Sequence, residues 1–553
     1  MKNVLDYLRR QAGRLPEKTA FADEKTEITF QGLLDAAEVI GSELARLQCG
    51  KRPVPVLMEK SVLTVEVMMG IVCAGGFYVI LDPAQPVRRL AQILGTLKSR
   101  VLVTVPEHAK LAKEVIEAAE KAELAGKEAT MPEKAELAEK EAAMPEHAEL
   151  VAEAAMVAKR SGEQAKTIEH KVIFAQDLLV GERDADLLRQ AERMHLDTDP
   201  LYVLFTSGST GVPKGVVVCH RSVIDFIDVF TELFGIGEED VLGNQAPFDF
   251  DVSVKDLYSA LAVGATVELI PKEYFSVPVR LIDFLDERKV TNLTWAVSAL
   301  GIVSVLDGLS YKRPSGIRRI LFSGEMMPIR HLNYWRSYYP EARFVNLYGP
   351  TEITCNCTWY EILREFAVGE KIPIGQAFPN EKVFLLDAEN REVTEPGREG
   401  EICVSGTALA LGYYHNPEQT AKAFVQNPLN EDWNETIYRT GDLAYYDENG
   451  DLCFASRKDF QIKHMGHRIE LGEIESALER IEAIKRSCCV FDEKRNKIVC
   501  FYQGEITKKE IIGEAKQYLQ DFMIPNVFRQ MEELPVTANG KLDRKALKQS
   551  LAS

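Results

Sequence analysis

The chain has 553 residues, 46% of them hydrophobic, and a formal net charge of −18 at pH 7. This length predicts several domains, because one domain typically spans about 100 to 200 residues. The negative charge disfavours a nucleic-acid partner, since phosphate binding needs a concentrated basic face, and no apolar stretch approaches the roughly 20 residues of a membrane span.

The first predicted element is an amphipathic helix at residues 1–10, which lacks the apolar core of a secretory signal. We therefore expect a cytoplasmic protein whose ten cysteines are reduced. The cysteine spacing contains no repeated CxxC pattern, so it predicts no zinc site.

Between about residues 106 and 170 the composition changes to Ala, Glu, Lys and Leu, with almost no aromatic residues or glycines. A six-residue pattern recurs there about every thirteen residues, starting at Pro106, Ala119, Pro132 and Pro145. We interpret this segment as an exposed helical insert produced by tandem duplication, whose prolines divide it into short pieces. We assign it no function.

Outside the insert, short apolar runs such as 202–205 and 319–322 are followed by loop signals and helical patterns. This alternation predicts α/β layers with buried strands. The pattern restarts at Asp459, with strands expected at 460–463 and 497–502 and helices after each. About a hundred residues are enough for a small separate domain.

The run from Thr206 to Gly215 follows an apolar strand and contains hydroxyl side chains, three glycines and one lysine. Glycines expose backbone N–H groups to anions, so this composition suits a loop around phosphate oxygens. The spacing GxxxxGK[ST] is absent, which excludes the P-loop of kinases and GTPases.

This run closely resembles the phosphate-binding loop of the adenylate-forming ligases, and especially that of adenylation domains of nonribosomal peptide synthetases. Five further segments resemble the same family and follow in its order, so that the resemblance covers essentially the whole chain outside the insert. These segments are 346–352, 400–413, 438–442, 457–463 and 539–545.

The resemblance implies an α/β fold with a large N-terminal adenylate-forming domain of layered sheets and helices, residues 1–457. A small mobile α+β C-terminal domain, residues 458–553, would turn about a hinge between an adenylation pose and a pose that opens a thiol channel. Asp459 is the hinge candidate, and Gly466 would line the channel. Ser456 departs from the glycine usual in the family and leaves the hinge detail open.

The resemblance also implies ATP and Mg²⁺. The catalytic residues would be Lys541, Glu352, Thr351 and Lys214. Glu352 would hold Mg²⁺, which prefers oxygen ligands, and Lys541 would bridge the substrate carboxylate and the α-phosphate. The residues implied to bind ATP are Thr206, Ser207, Gly208, Ser209, Thr210, Gly211, Gly324, Glu325, Asn346, Tyr348, Gly349, Asp442 and Arg457.

Within that set, Tyr348 would pack on adenine and Asn346 would bond its edge. Asp442 would accept the ribose hydroxyls, and Arg457 would add a charge-assisted contact nearby. The alternative for the charged residues is an ordinary salt bridge.

Asp251 aligns with the family aspartate that pairs with an α-ammonium group. A buried carboxylate is costly unless a cation meets it, so Asp251 favours an amino acid over a simple acid. A helix-capping role is the alternative. The residues implied to form the substrate pocket are Asp251, Val252, Lys255, Thr294, Leu321, Ser323, Leu347, Cys355 and Asn356.

Within the amino-acid branch the chain is most similar to D-alanine:carrier-protein ligases. The pocket fits this poorly, because a methyl side chain requires none of the polar residues Lys255, Thr294, Ser323 and Asn356. A small polar or acidic amino acid such as serine or aspartate would satisfy them better. Pairing of Lys255 with Asp256, or its extension into solvent, remains open.

The chain ends soon after Lys541 with no segment for a carrier domain, so we expect transfer to a separate phosphopantetheinylated carrier protein. Carrier proteins are generally acidic, which predicts docking near basic residues of the C-terminal domain. The alternatives are an acyl- or aryl-CoA ligase, which Asp251 disfavours, and a non-catalytic nucleotide-binding scaffold. The residues that disfavour the scaffold are Glu352, Asp442, Arg457 and Lys541.

Overall fold

The computed structural model describes residues 1–124, 170–207, 213–367, 369–458, 460–535 and 542–551. Most of the predicted insert lies outside these described residues. The same is true of six predicted site residues, namely Gly208, Ser209, Thr210, Gly211, Asp459 and Lys541. Across the described ranges, no helix is long and apolar enough to cross a membrane.

The strands are numbered here in chain order. They are β1 (Thr19–Ala22), β2 (Glu27–Thr29), β3 (Pro53–Leu57), β4 (Phe77–Leu81), β5 (Val101–Thr104), β6 (Lys171–Phe174), β7 (Pro200–Thr206), β8 (Lys214–Cys219), β9 (Val241–Asn244), β10 (Thr266–Leu269), β11 (Asn292–Ala296), β12 (Arg319–Ser323), β13 (Arg343–Tyr348), β14 (Thr358–Glu361), β15 (Gln376–Ala377), β16 (Glu381–Leu386), β17 (Gly400–Gly406), β18 (Gly412–Tyr413), β19 (Phe424–Gln426), β20 (Thr436–Tyr446), β21 (Leu452–Arg457), β22 (Gln461–His464), β23 (His467–Glu470), β24 (Ile484–Asp492), β25 (Lys497–Gly504) and β26 (Val527–Gln530).

The helices fill the connections between these strands. The α-helices are Leu5–Arg14, Phe30–Arg46, Val62–Cys73, Val87–Leu97, 109–124, Ala175–Leu179, Ala185–Arg193, His220–Phe234, Ser253–Val263, Pro278–Glu287, Val297–Val305, Gly308–Tyr311, Ile329–Tyr338, Pro417–Ala423, Leu471–Leu478, Lys508–Ala515 and Arg544–Gln549. Short 3-10 turns occur at Pro106–His108, Lys272–Ser276, Thr351–Ile353 and Asp521–Met523.

Two large sheets and a smaller one build the N-terminal part of the described chain. The first has the strand order β15-β14-β13-β12-β11-β9-β10-β1-β2, the second β18-β8-β7-β4-β3-β5-β6, and the third β16-β17-β20-β19 with β21 beside β20. Strands β13, β12, β11, β9, β10 and β1 run parallel. Parallel strands need crossover connections, usually helices, and are commonly covered on both faces.

The interior strands are mostly apolar, in keeping with this burial. Every residue of β3, β4 and β11 is buried. The helix Val62–Cys73 is likewise buried almost throughout and packs against the helix Phe30–Arg46. Both helices belong to the same apolar cluster as Val54 of β3 and Ile80 of β4.

The C-terminal part forms separate small sheets. Strands β22 and β23 make an antiparallel hairpin, and β24, β25 and β26 make a three-stranded sheet. The helices Leu471–Leu478 and Lys508–Ala515 pack on the latter, around a core that contains Ile474, Cys489 and Ile511. The predicted restart of strand and helix after Asp459 is confirmed, as is a mixed α/β fold with a large and a small domain.

The prediction of an exposed insert is wrong for its first part. Residues 109–124 form a helix, and Ala112, Val115 and Ala119 are buried in the same apolar cluster as Leu94. Their spacing of three and four residues places them on one helix face. Alanine fits equally well in exposed and packed helices, so the composition alone concealed this face.

Candidate active site

The predicted site residues converge on one edge of the nine-stranded sheet. Asn244, Ala296, Ser323 and Tyr348 are the last residues of β9, β11, β12 and β13. Because these strands are parallel, their carboxyl ends lie at the same edge, where ligands of open α/β sheets commonly bind. Segments far apart in the chain therefore supply one site.

Asp251 is a buried carboxylate at this edge, with 7% of its surface exposed. Thr351 donates its hydroxyl to Oδ2 of Asp251 at 2.5 Å. Burial raises the pKa of the Asp251 carboxyl, and the hydrogen bond from Thr351 opposes that shift. No Lys, Arg or His nitrogen of the described residues lies within 4.0 Å of this carboxylate.

The helix-capping alternative for Asp251 is wrong. The neighbouring helix begins at Ser253, its N-cap is Val252, and no side chain caps it by a hydrogen bond. Asp251 therefore precedes the helix and keeps an oxygen for another partner.

Lys255 points into the protein, and only 1% of its surface is exposed. Its Nζ donates to Oδ1 of Asn356 at 2.8 Å and lies 3.5 Å from Oγ of Ser323. Extension into solvent is thus wrong, and within the described chain no carboxylate oxygen, including those of Asp256, lies within 4.0 Å of Nζ. This lysine is a buried cation held by neutral partners.

Asp256 lies beside this lysine but bonds elsewhere. It accepts a hydrogen bond from Nδ2 of Asn244 at 2.9 Å and another from the Thr294 side chain. Burial raises its pKa to about 7, against the lowering effect of Asn244. Thr294 is therefore engaged with Asp256, which the sequence did not reveal.

The apolar residues predicted for the pocket are all buried near Asp251. Cys355 lies with its Sγ 3.6 Å from the backbone oxygen of Asp251, and burial raises the pKa of its thiol to about 12. The others, Val252, Leu321 and Leu347, are at most 4% exposed.

Glu352 is fully buried, and both of its carboxylate oxygens have protein partners. Tyr413 donates its hydroxyl to Oε1 at 2.8 Å, and Arg468 donates Nη1 to Oε2 at 2.6 Å. Burial acts to raise the pKa of Glu352, but Arg468 and Tyr413 outweigh it and hold the value at about 2. Neither partner was predicted as a site residue. Tyr413 lies in the segment 400–413 that resembles the family, and Arg468 lies two residues after Gly466, which the resemblance placed at the thiol channel.

The predicted nucleotide residues form a connected group. Asp442 is 2% exposed and accepts from Nη1 of Arg457 and from the hydroxyl of Tyr348, each at 2.5 Å. Asn346 donates its amide to the backbone oxygen of Pro373 at 2.8 Å. The amide nitrogen of Asn346 is thus already engaged, which leaves its oxygen for a ligand.

The ends of the phosphate loop are held by the hairpin of β7 and β8. Thr206 and Lys214 are paired across these strands, and Nζ of Lys214 lies 5.4 Å from the centre of the Tyr413 ring. Ser207 donates its hydroxyl to the backbone oxygen of Arg468 at 2.6 Å. The glycines and hydroxyls between these ends lie in 208–212, outside the described residues.

The hairpin of β22 and β23 enters the site from the C-terminal part. The backbone N–H of Gly466 donates to the Glu325 carboxylate, and Gly324 lies next to Gly466. Lys463 places its Nζ 5.2 Å from the centre of the Tyr348 ring. Lys463 was not predicted as a site residue. Its position in the segment 457–463, which resembles the family, could have indicated it.

The arrangement does not fit Mg²⁺ at Glu352. Each carboxylate oxygen has two lone pairs, so the hydrogen bonds from Tyr413 and Arg468 leave one on each oxygen. The guanidinium of Arg468, 2.6 Å from Oε2, would however repel a cation bound to this carboxylate. Among the residues that the structure covers, no group of three or more His, Cys, Asp and Glu side chains could hold a metal ion.

The family of AMP-binding enzymes matches residues 8–414, and the AMP-binding enzyme C-terminal domain matches residues 473–541. Tyrocidine synthase 1 of Brevibacillus parabrevis is 29% identical over 99% of this chain, which spans only 45% of that relative. Zwittermicin A synthase ZmaJ of Bacillus cereus is also 29% identical, over 97% of this chain and 93% of its own length.

The crystal structure of IdnL1 is similar throughout, with a TM-score of 0.74 at 26% identity, over 97% of this chain and 98% of that one. The family match extends over most of the chain and includes the sheet edge where Asp251, Glu352 and Tyr348 meet. The chain therefore belongs to the family of AMP-binding enzymes.

Proposed function

We propose that the chain is an ATP-dependent amino-acid:carrier-protein ligase. In the first half-reaction, the substrate carboxylate attacks the α-phosphorus of ATP, and pyrophosphate leaves. In the second, the phosphopantetheine thiol of a carrier protein attacks the acyl carbon, its proton is lost, and AMP leaves with the bonding electrons.

The observation that carries this proposal is the state of Asp251. Its carboxylate is buried, has a raised pKa and lacks a close cation among the described residues. A substrate ammonium group would supply that cation, and pairing stabilises a buried charge. A fatty or aryl acid offers no such group.

Several residues would bind ATP in this proposal. Asp442 and Arg457 would contact the ribose and Tyr348 the adenine, while Lys214 and the loop from Thr206 to Gly211 would stabilise phosphate charge. Lys541 as the catalytic cation and Asp459 as the hinge at the 457/458 boundary rest on family resemblance alone.

Magnesium neutralises phosphate charge when it is bound to a nucleotide. With Arg468 on Glu352, however, no step of the proposed chemistry passes through a metal on that carboxylate. In the proposed reaction Asp251 would hold the ammonium group of the substrate, and Asp442 would hold the ribose of ATP.

The substrate is proposed to be a small amino acid. Resemblance favours D-alanine, whereas the polar atoms of Lys255, Ser323 and Asn356 favour a small polar or acidic side chain, because buried polar groups require partners. Serine and aspartate are the representatives to test first.

A pyrophosphate-exchange screen over L- and D-amino acids, fatty acids and aryl acids tests the proposal. We expect exchange with one or a few small amino acids and none with acids that lack an amino group. Exchange only with a fatty or aryl acid would identify an acyl- or aryl-CoA ligase instead.

The acceptor is tested with enzyme that has formed the aminoacyl-adenylate. We expect the aminoacyl group to appear on a phosphopantetheinylated carrier protein and not on the same carrier without phosphopantetheine. Faster transfer to free coenzyme A would contradict the carrier assignment. A chain that binds ATP without any exchange would be a non-catalytic scaffold.

A further inference from the structure

The backbone at Thr354, beside the candidate site, has a strained conformation. Its φ is +68° and its ψ is −41°, and the N–H of Cys355 donates to the backbone oxygen of Ile353 at 2.8 Å. A hydrogen bond between residues two apart closes a γ-turn, and the form with a positive φ is rare and strained. Among the residues that the structure describes, Thr354 is the only β-branched one with a positive φ, a conformation that such side chains disfavour.

Contacts from other segments hold this turn in place. Thr354 donates its hydroxyl to the backbone oxygen of Ala408 at 2.6 Å, and Tyr202 of β7 donates its hydroxyl to the backbone oxygen of Thr354 at 3.3 Å. Thr354 and Tyr202 are both 0% exposed. A strained backbone conformation persists where its surroundings fix it, and such conformations cluster at functional sites.

The turn lies between two residues that contact the buried charges of the substrate pocket. Three residues before it, Thr351 donates its hydroxyl to Asp251 at 2.5 Å. Two residues after it, Asn356 accepts a hydrogen bond from Nζ of Lys255 at 2.8 Å. The φ and ψ of Thr354 set the direction of the chain between these two contacts, and therefore the place of Asn356 relative to Thr351.

The chain after the turn returns closely onto the segment before it. A Cβ at Gly349 would lie 2.5 Å from Cα of Asn356, so Asn356 can lie there only because residue 349 has no side chain. The N–H of Cys357 donates to the backbone oxygen of Tyr348 at 2.8 Å. Packing this tight leaves little room for local adjustment, so a change in the turn is passed on to Asn356.

We propose that Thr354 is a positioning residue for the amino-acid substrate. Its hydroxyl holds the γ-turn, and the turn places Asn356 against Lys255 at a fixed position relative to Asp251. The inference rests on the proposed function, because the ammonium group and the side chain of an amino acid are what would meet these two charges. Thr354 itself does not have to touch the substrate.

The test separates the two substrates of pyrophosphate exchange. Thr354→Val keeps the branched shape but removes the hydroxyl and leaves the backbone oxygen of Ala408 without this partner. We expect the KM for the amino acid to rise by about tenfold, because a buried hydrogen bond is lost. Asp442 and Arg457, which would contact the ribose, belong to a different sheet, so the KM for ATP should stay within about twofold.

The kinetics are measured with whichever of serine, aspartate and D-alanine supports exchange. Thr354→Ser keeps the hydroxyl and should return the KM for the amino acid to within about twofold of the wild type. Thr354→Gly accommodates the positive φ but lacks the hydroxyl, so its KM should be raised as in Thr354→Val. The matched control is Thr104→Val, because Thr104 is also 0% exposed and donates its hydroxyl to a backbone oxygen, that of Leu57, at 2.8 Å. It should leave both KM values unchanged.

If Thr354→Val does not fold, Tyr202→Phe carries the test, because it removes the other hydrogen bond to the turn. We expect a smaller rise in the KM for the amino acid, about threefold, again without a change for ATP. An unchanged KM for the amino acid in this variant would then overturn the inference.

Three results with the Thr354 variants would also overturn it. The first is a KM for the amino acid in Thr354→Val within about twofold of the wild type. The second is an equal rise in the KM for ATP, which would indicate a general disturbance of the fold. The third is a wild-type KM in Thr354→Gly, which would show that the hydroxyl is not needed.

Absence of exchange by the wild type with every acid would instead refute the proposed function. The position of Asn356 in crystal structures of the wild type and Thr354→Val then decides the inference. We expect Asn356 to move away from Lys255 in the variant. An unchanged contact between these two residues would overturn the role of Thr354.

Discussion

At the scale of single residues, the buried charged residues of this site differ in whether they have an oppositely charged partner. Asp251 and Lys255 are both almost fully buried, yet neither has an oppositely charged group within 4.0 Å among the described residues. Glu352 and Asp442, in contrast, each have an arginine partner. The first two residues therefore retain capacity for a charged ligand.

Asp251→Asn tests the ammonium site. The amide keeps the shape but loses the charge, and breaking a buried ion pair costs about 3 to 5 kcal/mol. We expect the KM for the amino acid in pyrophosphate exchange to rise by at least about a hundredfold. Asp249→Asn is the control, because Asp249 also has a raised pKa but accepts a hydrogen bond from Gln85; an equal effect of both variants would contradict the assignment.

The same site predicts a pH dependence. Burial raises the pKa of Asp251, and only its ionised form pairs with an ammonium group. The KM for the amino acid should therefore rise as the pH falls through that raised value, at a higher pH than for an ordinary aspartate. Measurements of the KM in pyrophosphate exchange across a range of pH check this. In Asp251→Asn the KM should not show this rise at low pH.

Lys255→Met tests the side-chain pocket. Methionine keeps much of the volume without the charge, so we expect at least about tenfold weaker activation of a polar or acidic substrate, with apolar amino acids gaining. Exchange across the amino-acid panel measures the profile. Lys458→Met, at a 43% exposed lysine, is the control, and an unchanged profile in Lys255→Met would remove this residue from the pocket.

At the scale of elements, the hairpin of β22 and β23 depends on a glycine at its turn. Gly466 has a φ of +81°, and a Cβ there would lie 3.2 Å from Cβ of Ala296. Positive φ is costly for residues with a side chain. The hairpin can therefore take this position against Ala296 only if residue 466 has no side chain.

Gly466→Ala should disfavour docking without affecting the first half-reaction. We expect transfer to the carrier protein to fall by about tenfold or more, since strain of this kind costs about 1 to 3 kcal/mol, while pyrophosphate exchange stays near the wild-type rate. Gly513→Ala is the control, because no atom lies within 4 Å of its added Cβ. Equal losses in both half-reactions would show that the variant acts on folding.

At the scale of the whole molecule, the two domains are joined by a second buried ion pair. Arg89 of the N-terminal part donates Nη1 to Glu473 at 2.8 Å, and the side chains are 7% and 6% exposed. Such a pair contributes little compared with apolar packing, but removing one partner leaves an unpaired buried charge.

Glu473→Gln should therefore reduce the fraction of molecules in which the two domains are in contact. The reduction should be larger than in the double variant Arg89→Met with Glu473→Gln. The reason is that the single variant strands the Arg89 cation, whereas the double variant removes it. Distances between one spin label on the N-terminal part and one on the C-terminal part, combined with a double-mutant cycle, measure the coupling. A double variant at least as undocked as the single one would show that this pair does not hold the interface.

Much of the fold and of the site could be predicted from the sequence, because the patterns that indicate them lie within short segments of the chain. Apolar runs predicted the buried strands, and the segments around Thr206, Tyr348 and Asp442 predicted a nucleotide site. The buried face of residues 109–124 was missed, since alanine carries no clear burial signal. Arg468 and Tyr413 were missed because their partner, Glu352, is distant in the chain.

The sequence by itself determined the family, the α/β layers and the chemistry that the site residues could offer, since motifs and hydrophobic patterns are properties of neighbouring residues. The tertiary structure alone decided that Asp251 does not cap a helix, that Lys255 is buried against Asn356, and that Glu352 is paired with Arg468. These outcomes depend on which charged groups meet in a low-dielectric interior, and that is settled by the packing of distant segments.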